Sequence, residues 1–113
     1  MEKTIQIGGK DVLMKATANT PKRYRNEYNE DLLIKLQHLY NHLDRKTGEF
    51  VGEVDLAVVE NLAYIMAKQA DPEIGSQEEW LDGFEMVDIY NAMPQILSVW
   101  GNSTETLSTP KKG

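Results

Sequence analysis

Two histidines, His38 and His42, stand four residues apart, the spacing at which imidazoles on one helical face reach a common metal ion. A zinc-protease helix needs glutamate after the first histidine, but Leu39 stands there, and no cysteine is present to complete a ligand set. The pair reads as surface histidines, and no metal or other cofactor is expected. Five carboxylates, Glu78, Glu79, Asp82, Glu85 and Asp88, crowd a second region. General acid–base chemistry needs two carboxyls held in a partly desolvated cleft. At helical spacing these five suit a solvated acidic face or a dock for a basic partner instead. Lys22, Arg23 and Arg25 surround Tyr24, a basic and aromatic cluster of the kind that binds nucleic acid. Three cations beside an acidic body are too few for that, and pairing with the acidic helices is the expected use. Gly8-Gly9 precedes no Gly-Lys-Ser/Thr, and no Gly-x-Ser-x-Gly occurs. No catalytic residue is assigned, and the chain is not expected to be an enzyme. Trp80, Phe84, Tyr90 and Trp100 read either as core or as interface anchors, since Trp and Tyr are enriched at binding hot spots.

The chain has 113 residues, of which 41% are hydrophobic and 27% charged, so it suits one folded domain with a real core. Twelve Lys and Arg against eighteen Asp and Glu give a net charge of -6, which repels phosphate backbones and makes nucleic acid an unexpected partner. The absence of cysteine removes disulfides, thiolate nucleophiles and iron–sulfur clusters and fits a reducing cytoplasm. No apolar run approaches the roughly 20 residues of a membrane span, and the first residues lack an apolar signal core, so a cytoplasmic chain without a membrane partner is expected. Charge is segregated: residues 1–29 carry +3 and residues 47–105 carry -11. This pattern suits either two solvated faces or head-to-body attraction within or between copies.

The elements that must position these residues are marked locally. Ile5 and Ile7 alternate with polar residues in a first strand, Gly8-Gly9-Lys10-Asp11 forms a turn, and 12–17 return as a second strand. Thr20 followed by Pro21 caps a short helix to about Tyr28, with Asn29 as its left-handed exit. Glu30-Asp31 opens a second helix whose Leu32, Leu36, Leu39 and Leu43 form a stripe, widened by Leu33 and Tyr40. Residues 47–52 read as a loop. Asp55 caps a helix over 56–70, apolar around most of its circumference, with Glu60, Tyr64 and Lys68 as its polar strip. Asp71-Pro72 stops that helix. Ser76-Gln77-Glu78-Glu79 is a capping box, after which Trp80, Leu81, Phe84 and Val87 line one face. Pro94 ends or kinks the helical stretch that contains it, giving two or three helical pieces before Gly101. The expected fold is mainly α with a small N-terminal β-hairpin (α+β), a compact bundle of four to six short helices over 1–101. A flexible tail is expected over 102–113.

The run Glu60-Asn61-Leu62-Ala63-Tyr64-Ile65-Met66-Ala67-Lys68-Gln69-Ala70-Asp71-Pro72 resembles the central signature of a family of phage tail assembly chaperones from prophages of Gram-positive bacteria. So does Glu79-Trp80-Leu81-Asp82-Gly83-Phe84-Glu85-Met86-Val87-Asp88-Ile89-Tyr90, together with Pro94-Gln95-Ile96-Leu97 and Trp100. The opening is similar too, in its Ile-rich hairpin, Ala16-Thr17 and Thr20-Pro21-Lys22-Arg23-Tyr24-Arg25. The resemblance covers roughly residues 3–101. It implies a non-enzymatic chaperone in the host cytoplasm, absent from the mature virion, that coats the tape measure protein until tube subunits polymerise around it. Family members are often also made in a longer, frameshifted form that engages the tail tube protein. Lys111-Lys112-Gly113 is compatible with an A-rich slippery message. The contact residues expected on this reading are Trp80, Phe84, Tyr90 and Trp100 with Glu79, Asp82, Glu85 and Asp88. Ile5 and Ile7 at the hairpin edge and Lys22, Arg23 and Arg25 are the candidates for self-association into a homo-oligomer. The competing reading is a small acidic adaptor or regulator that binds protein or nucleic acid through its basic N-terminal segment.

Overall fold

In a computed structural model, which describes residues 1–44, 46–47 and 49–108 (102–108 by backbone alone), the alternating N-terminal segment forms an antiparallel hairpin. Its strands are β1 (Glu2–Ile7) and β2 (Lys10–Lys15). Gly8 and Gly9 form a two-residue turn at φ 58° and 81°. That doubly left-handed geometry matches the twist of the strands and strongly favours glycine. At Gly8 a side chain is also excluded by contact, because a Cβ there would run into the Asp88 carboxylate. Lys10 and Asp11, expected in the turn, begin β2 instead. The register sets Ile5 opposite Val12 and Lys3 opposite Met14. Ile5, Ile7, Val12 and Met14 therefore share the buried face, and Thr4, Gln6 and Leu13 the outer one.

An isolated hairpin is marginal in water. Here α3 (Leu56–Ala70) packs on β2, and α5 (Met86–Ser108) packs on β1 and on α3. Asp55 caps α3 by accepting from the Ala57 amide at 3.1 Å. Asp71, extended before Pro72 at φ -142° and ψ 95°, ends it. Leu62, Met66, Ile96 and Val99 from these two helices join Ile7 and Met14 in the centre of the core. Tyr64, expected on a polar strip of α3, is buried, because α4 (Gln77–Leu81) lays Trp80 against its ring at 5.8 Å.

α1 (Thr20–Tyr28) and α2 (Leu32–Tyr40) complete the bundle, giving five helices among the described residues. Asn29, at φ 56°, makes the left-handed exit from α1. Thr20 does not cap α1 as expected: it is fully buried, accepts from the Thr17 amide and donates to Gln69 Oε1. Asp31 caps α2 by accepting from Leu33 and Ile34. Leu32, Leu36 and Leu39 are buried, whereas Leu33 points to solvent rather than widening the stripe. Leu43 lies past the helix in β3 (Leu43–Asp44), which pairs with β4 (Glu49–Phe50) inside the expected loop.

α5 also departs from expectation. Neither Pro94 nor Gly101 breaks it, and it continues to Ser108 through the first part of the expected tail. Pro94 stands on the exposed side, so the carbonyl one turn back, which loses its amide donor, faces water instead of the core. Residues 109–113, with Lys111-Lys112-Gly113, lie outside the described residues. Among the described residues no helix is long and apolar enough to cross a membrane.

Candidate functional site

The acidic, aromatic segment after α3 builds two neighbouring surfaces. The first begins at the capping box. Ser76 Oγ accepts from the Glu79 amide, and Glu79 Oε1 accepts from the Ser76 amide, both at 3.2 Å. Gly75, at φ 88°, passes so close to Glu79 that a Cβ would meet Oε1 at 2.7 Å. Its carbonyl accepts from Tyr64 Oη and Lys68 Nζ, which pins the loop to α3. The cap thus fixes the direction of α4 and sets Trp80 between Tyr64 and Phe84, the latter edge-on at 5.1 Å. Lys10 reaches across from the hairpin, donates to the Gly83 carbonyl and lies over the Phe84 ring at 5.3 Å. Between β2 and this aromatic pair runs an open groove of about 550 Å³, lined also by Leu13, Ala67, Ala70 and Ile74.

The second surface is the start of α5. Asp88 Oδ2 accepts from the Glu85 amide at 2.7 Å, a carboxylate reaching back to the end of the helix. Ile89, Ala92, Met93, Ile96 and Leu97 turn inward. That phase leaves Met86, Val87, Tyr90 and Pro94 outward, with Met86 93% and Tyr90 50% exposed. Positions 86, 90 and 94 stack one turn apart. They form an apolar stripe beside a second groove of about 400 Å³, which Tyr90, Met93 and Pro94 share with Phe50. Between Asp71 and Asp88 the chain carries seven carboxylates and no cation. None of them forms an ion pair among the described residues.

The expected contact residues divide accordingly. Tyr90, Asp82 and Glu85 are exposed, and Trp80 and Phe84 are half-buried in the first groove. Glu79 and Asp88 hold helix ends, so their first role is structural. Trp100 is 6% exposed and belongs to the core, which removes it as an anchor. Val87, expected to line a face with Trp80, points to solvent because α4 ends at Leu81 and α5 starts on a new phase. Ile5 and Ile7 are buried against their own helices, so their side chains are not a self-association surface. Lys22, Arg23 and Arg25 are exposed and form no ion pair with the acidic helices among the described residues. Sequence reasoning misses Met86, Leu13 and Ile74. The inward set from Ile89 to Leu97 gives the phase that excludes Met86; nothing local marks the other two.

Of the two histidines, His38 is exposed on α2 and His42 is tied to the backbone. His42 Nδ1 donates to the Val51 carbonyl at 3.1 Å, and no three His, Asp or Glu side chains are grouped to hold a metal among the described residues. Burial pushes the hydroxyls of Tyr24, Tyr28 and Tyr40 upward; for Tyr28 the nearby negative charge of Glu27 adds to it. At Tyr24 the hydrogen bond from Asn61 partly offsets the burial. Comparison of the chain with protein-family models, curated proteins and solved structures finds no match.

Proposed function

We propose that this chain is a non-enzymatic binding protein of the tail-assembly chaperone type. It holds the tape measure protein of a long-tailed phage in soluble form in the host cytoplasm until tail tube subunits take over. The observation that carries the reading is the stripe of Met86, Val87, Tyr90 and Pro94 next to an acidic segment without a cation. Such a stripe fits the apolar face of a partner helix, read at one-turn intervals. The surrounding carboxylates keep a coated complex soluble and discourage tight, permanent burial. Contacts of this size are individually weak, so many copies along one long partner supply retention by avidity and still permit release. The motif resemblance supports the same reading. The exposed Lys22, Arg23 and Arg25 and the acidic segment from Asp71 to Asp88 supply the opposite patches that a homo-oligomer along the partner would use, in a contact weakened by salt.

Coexpression tests the proposal. The tape measure protein of the same phage, made alone, is expected in the insoluble fraction; with this chain it is expected to stay soluble and to copurify. Equal insolubility with and without the chain would overturn the reading.

A further inference from the structure

We propose that the open edge of β2 is a docking strand for an extended peptide segment bearing apolar and basic side chains. The segment adds to the hairpin as a third strand and fills the groove beside Trp80 and Phe84. The inference rests on the chaperone reading only in that both require a polypeptide partner.

The two edges of the hairpin differ. With a two-residue turn, Ile7 and Lys10 are a hydrogen-bonded pair, as are Ile5 with Val12 and Lys3 with Met14. The peptide groups of Thr4, Gln6, Asp11 and Leu13 therefore point away from the partner strand. On β1 that edge is clipped at Gln6, next to the turn. The Gln6 amide donates to Gln95 Oε1, and Gln95 Nε2 donates to the Gln6 carbonyl, both at 3.3 Å. One carboxamide from α5 thus imitates the peptide group of a neighbouring strand. On β2 the outward groups of Asp11 and Leu13 have no hydrogen-bond partner among the described residues. The groove lies on that side, since residues 10–13 line it and no residue of β1 does. Its volume of about 550 Å³ falls in the range of pockets that hold drug-sized ligands, room for a few side chains of a segment laid along it.

Edge strands are commonly guarded by lysine. Lys10 does not stand guard here, because its ammonium is turned onto the Gly83 carbonyl and the Phe84 ring. It props the hairpin tip against the link between α4 and α5 and holds the groove open. A helix would leave Asp11 and Leu13 unsatisfied, since its own peptide groups bond internally. An extended segment satisfies them and sends alternate side chains toward Trp80 and Ile74 on one side and water on the other. The rim sets the charge of the occupant. Asp11, Asp71 and Glu79 line the groove against one cation, Lys10, and the carboxylates of the 71–88 segment, none in an ion pair among the described residues, surround it. Basic residues in the partner are attracted and acidic ones repelled.

The test is amide hydrogen exchange of the full chain, with two short synthetic peptides as probes: one alternating valine and lysine, the other alternating valine and glutamate. At about ten times its Kd, the basic peptide is expected to slow exchange at Asp11 and Leu13 about tenfold, since only the free fraction exchanges. The acidic peptide is expected to change neither. Leu13→Pro, which removes an outward donor, should abolish the protection; if that variant fails to fold, Ala70→Gln, which narrows the groove from α3, should weaken it instead. Unchanged exchange at both amides would overturn the proposal. So would equal protection by both peptides. Protection that grows with chain concentration without peptide would overturn it too, by making the occupant a second copy. Solubility of the coexpressed tape measure protein is a separate readout, so the docking strand and the chaperone reading fail independently.

Discussion

The seam where α1, α3 and α4 meet and the shoulder at the start of α5 are built on opposite principles. In the seam, partly buried polar groups pair in complementary sets. Tyr28 Oη donates to Gln77 Oε1 at 2.6 Å, Gln77 Nε2 donates to Asn61 Oδ1 at 2.8 Å, and Asn61 lies within 3.4 Å of Tyr24 Oη. A few residues away, Gln69 Nε2 donates to Thr17, and Gln69 Oε1 accepts from Thr20. No buried side-chain polar atom is left without a partner among the described residues. The shoulder instead exposes Met86, Val87 and Tyr90 and surrounds them with unpaired carboxylates. A satisfied buried network fixes one arrangement of helices, since losing any member strands its partner. An uncovered apolar stripe contributes little to the fold. The comparison thus separates residues that hold the shape from residues the fold leaves uncovered.

The largest effect expected from breaking this contrast is in the seam. Tyr24 is fully buried, lies tilted against the Tyr28 ring at 4.7 Å and joins the network through Asn61. Tyr24→Ala leaves a cavity the size of a ring and is expected to cost about 3–5 kcal/mol. For a domain whose whole stability is about 5–15 kcal/mol, that is a large fraction. Urea unfolding followed by far-ultraviolet circular dichroism measures it. A loss under about 1 kcal/mol would mean that the seam collapses around the missing ring and does not hold the helices.

A smaller effect sharpens the same point through pH. The hydroxyls of Tyr24 and Tyr28 are raised above the ordinary value of 10.0, chiefly by burial. The folded state therefore keeps these protons more tightly than the unfolded state. Their contribution is complete below the unfolded pKa and is lost as pH climbs from there through the folded values. The urea midpoint is expected to stay level from about pH 7 to about pH 9 and to fall above about pH 10. Tyr28→Phe is expected to flatten the alkaline fall and to cost about 1 kcal/mol at neutral pH, because Gln77 loses its donor. An identical alkaline slope in the variant would assign the fall to other groups.

How much of this is legible in the sequence depends on how local each cause is. The hairpin, the Asp31 and Asp55 caps, the Ser76–Glu79 box and the stop at Asp71-Pro72 all arise within a few residues, and the local pattern locates them. Tyr64 looks polar when α3 is read alone, without Trp80 on top of it. Thr20 looks like a cap because the pull of Gln69, 49 residues away, is invisible locally. Val87 is misplaced because the local pattern carries one helical face across residues 82–85, where the chain in fact changes helix. Trp100, which the sequence leaves as either core or anchor, is settled as core only by the unbroken α5, since Pro94 and Gly101 suggest broken helices. The groove is beyond reach, since residues 10–13 and 67–84 meet only in the folded chain.

The smallest stability effect is expected at the shoulder, where it is most informative about function. Met86 and Tyr90 expose most or half of their surface. Replacing Met86 with serine therefore removes almost no buried area. Surface changes away from caps and networks usually fall within about 0.5 kcal/mol, and M86S should unfold at nearly the wild-type urea midpoint. If the stripe were only the visible flank of the core, the loss would instead scale with buried side chain, about 1.5–3 kcal/mol per residue. Coexpressed with the tape measure protein, the same variant should leave more of it insoluble. Stability held and solubilisation lost would place the work of the molecule on the stripe. Stability held and solubilisation unchanged would move it elsewhere, to the groove or the basic face of α1.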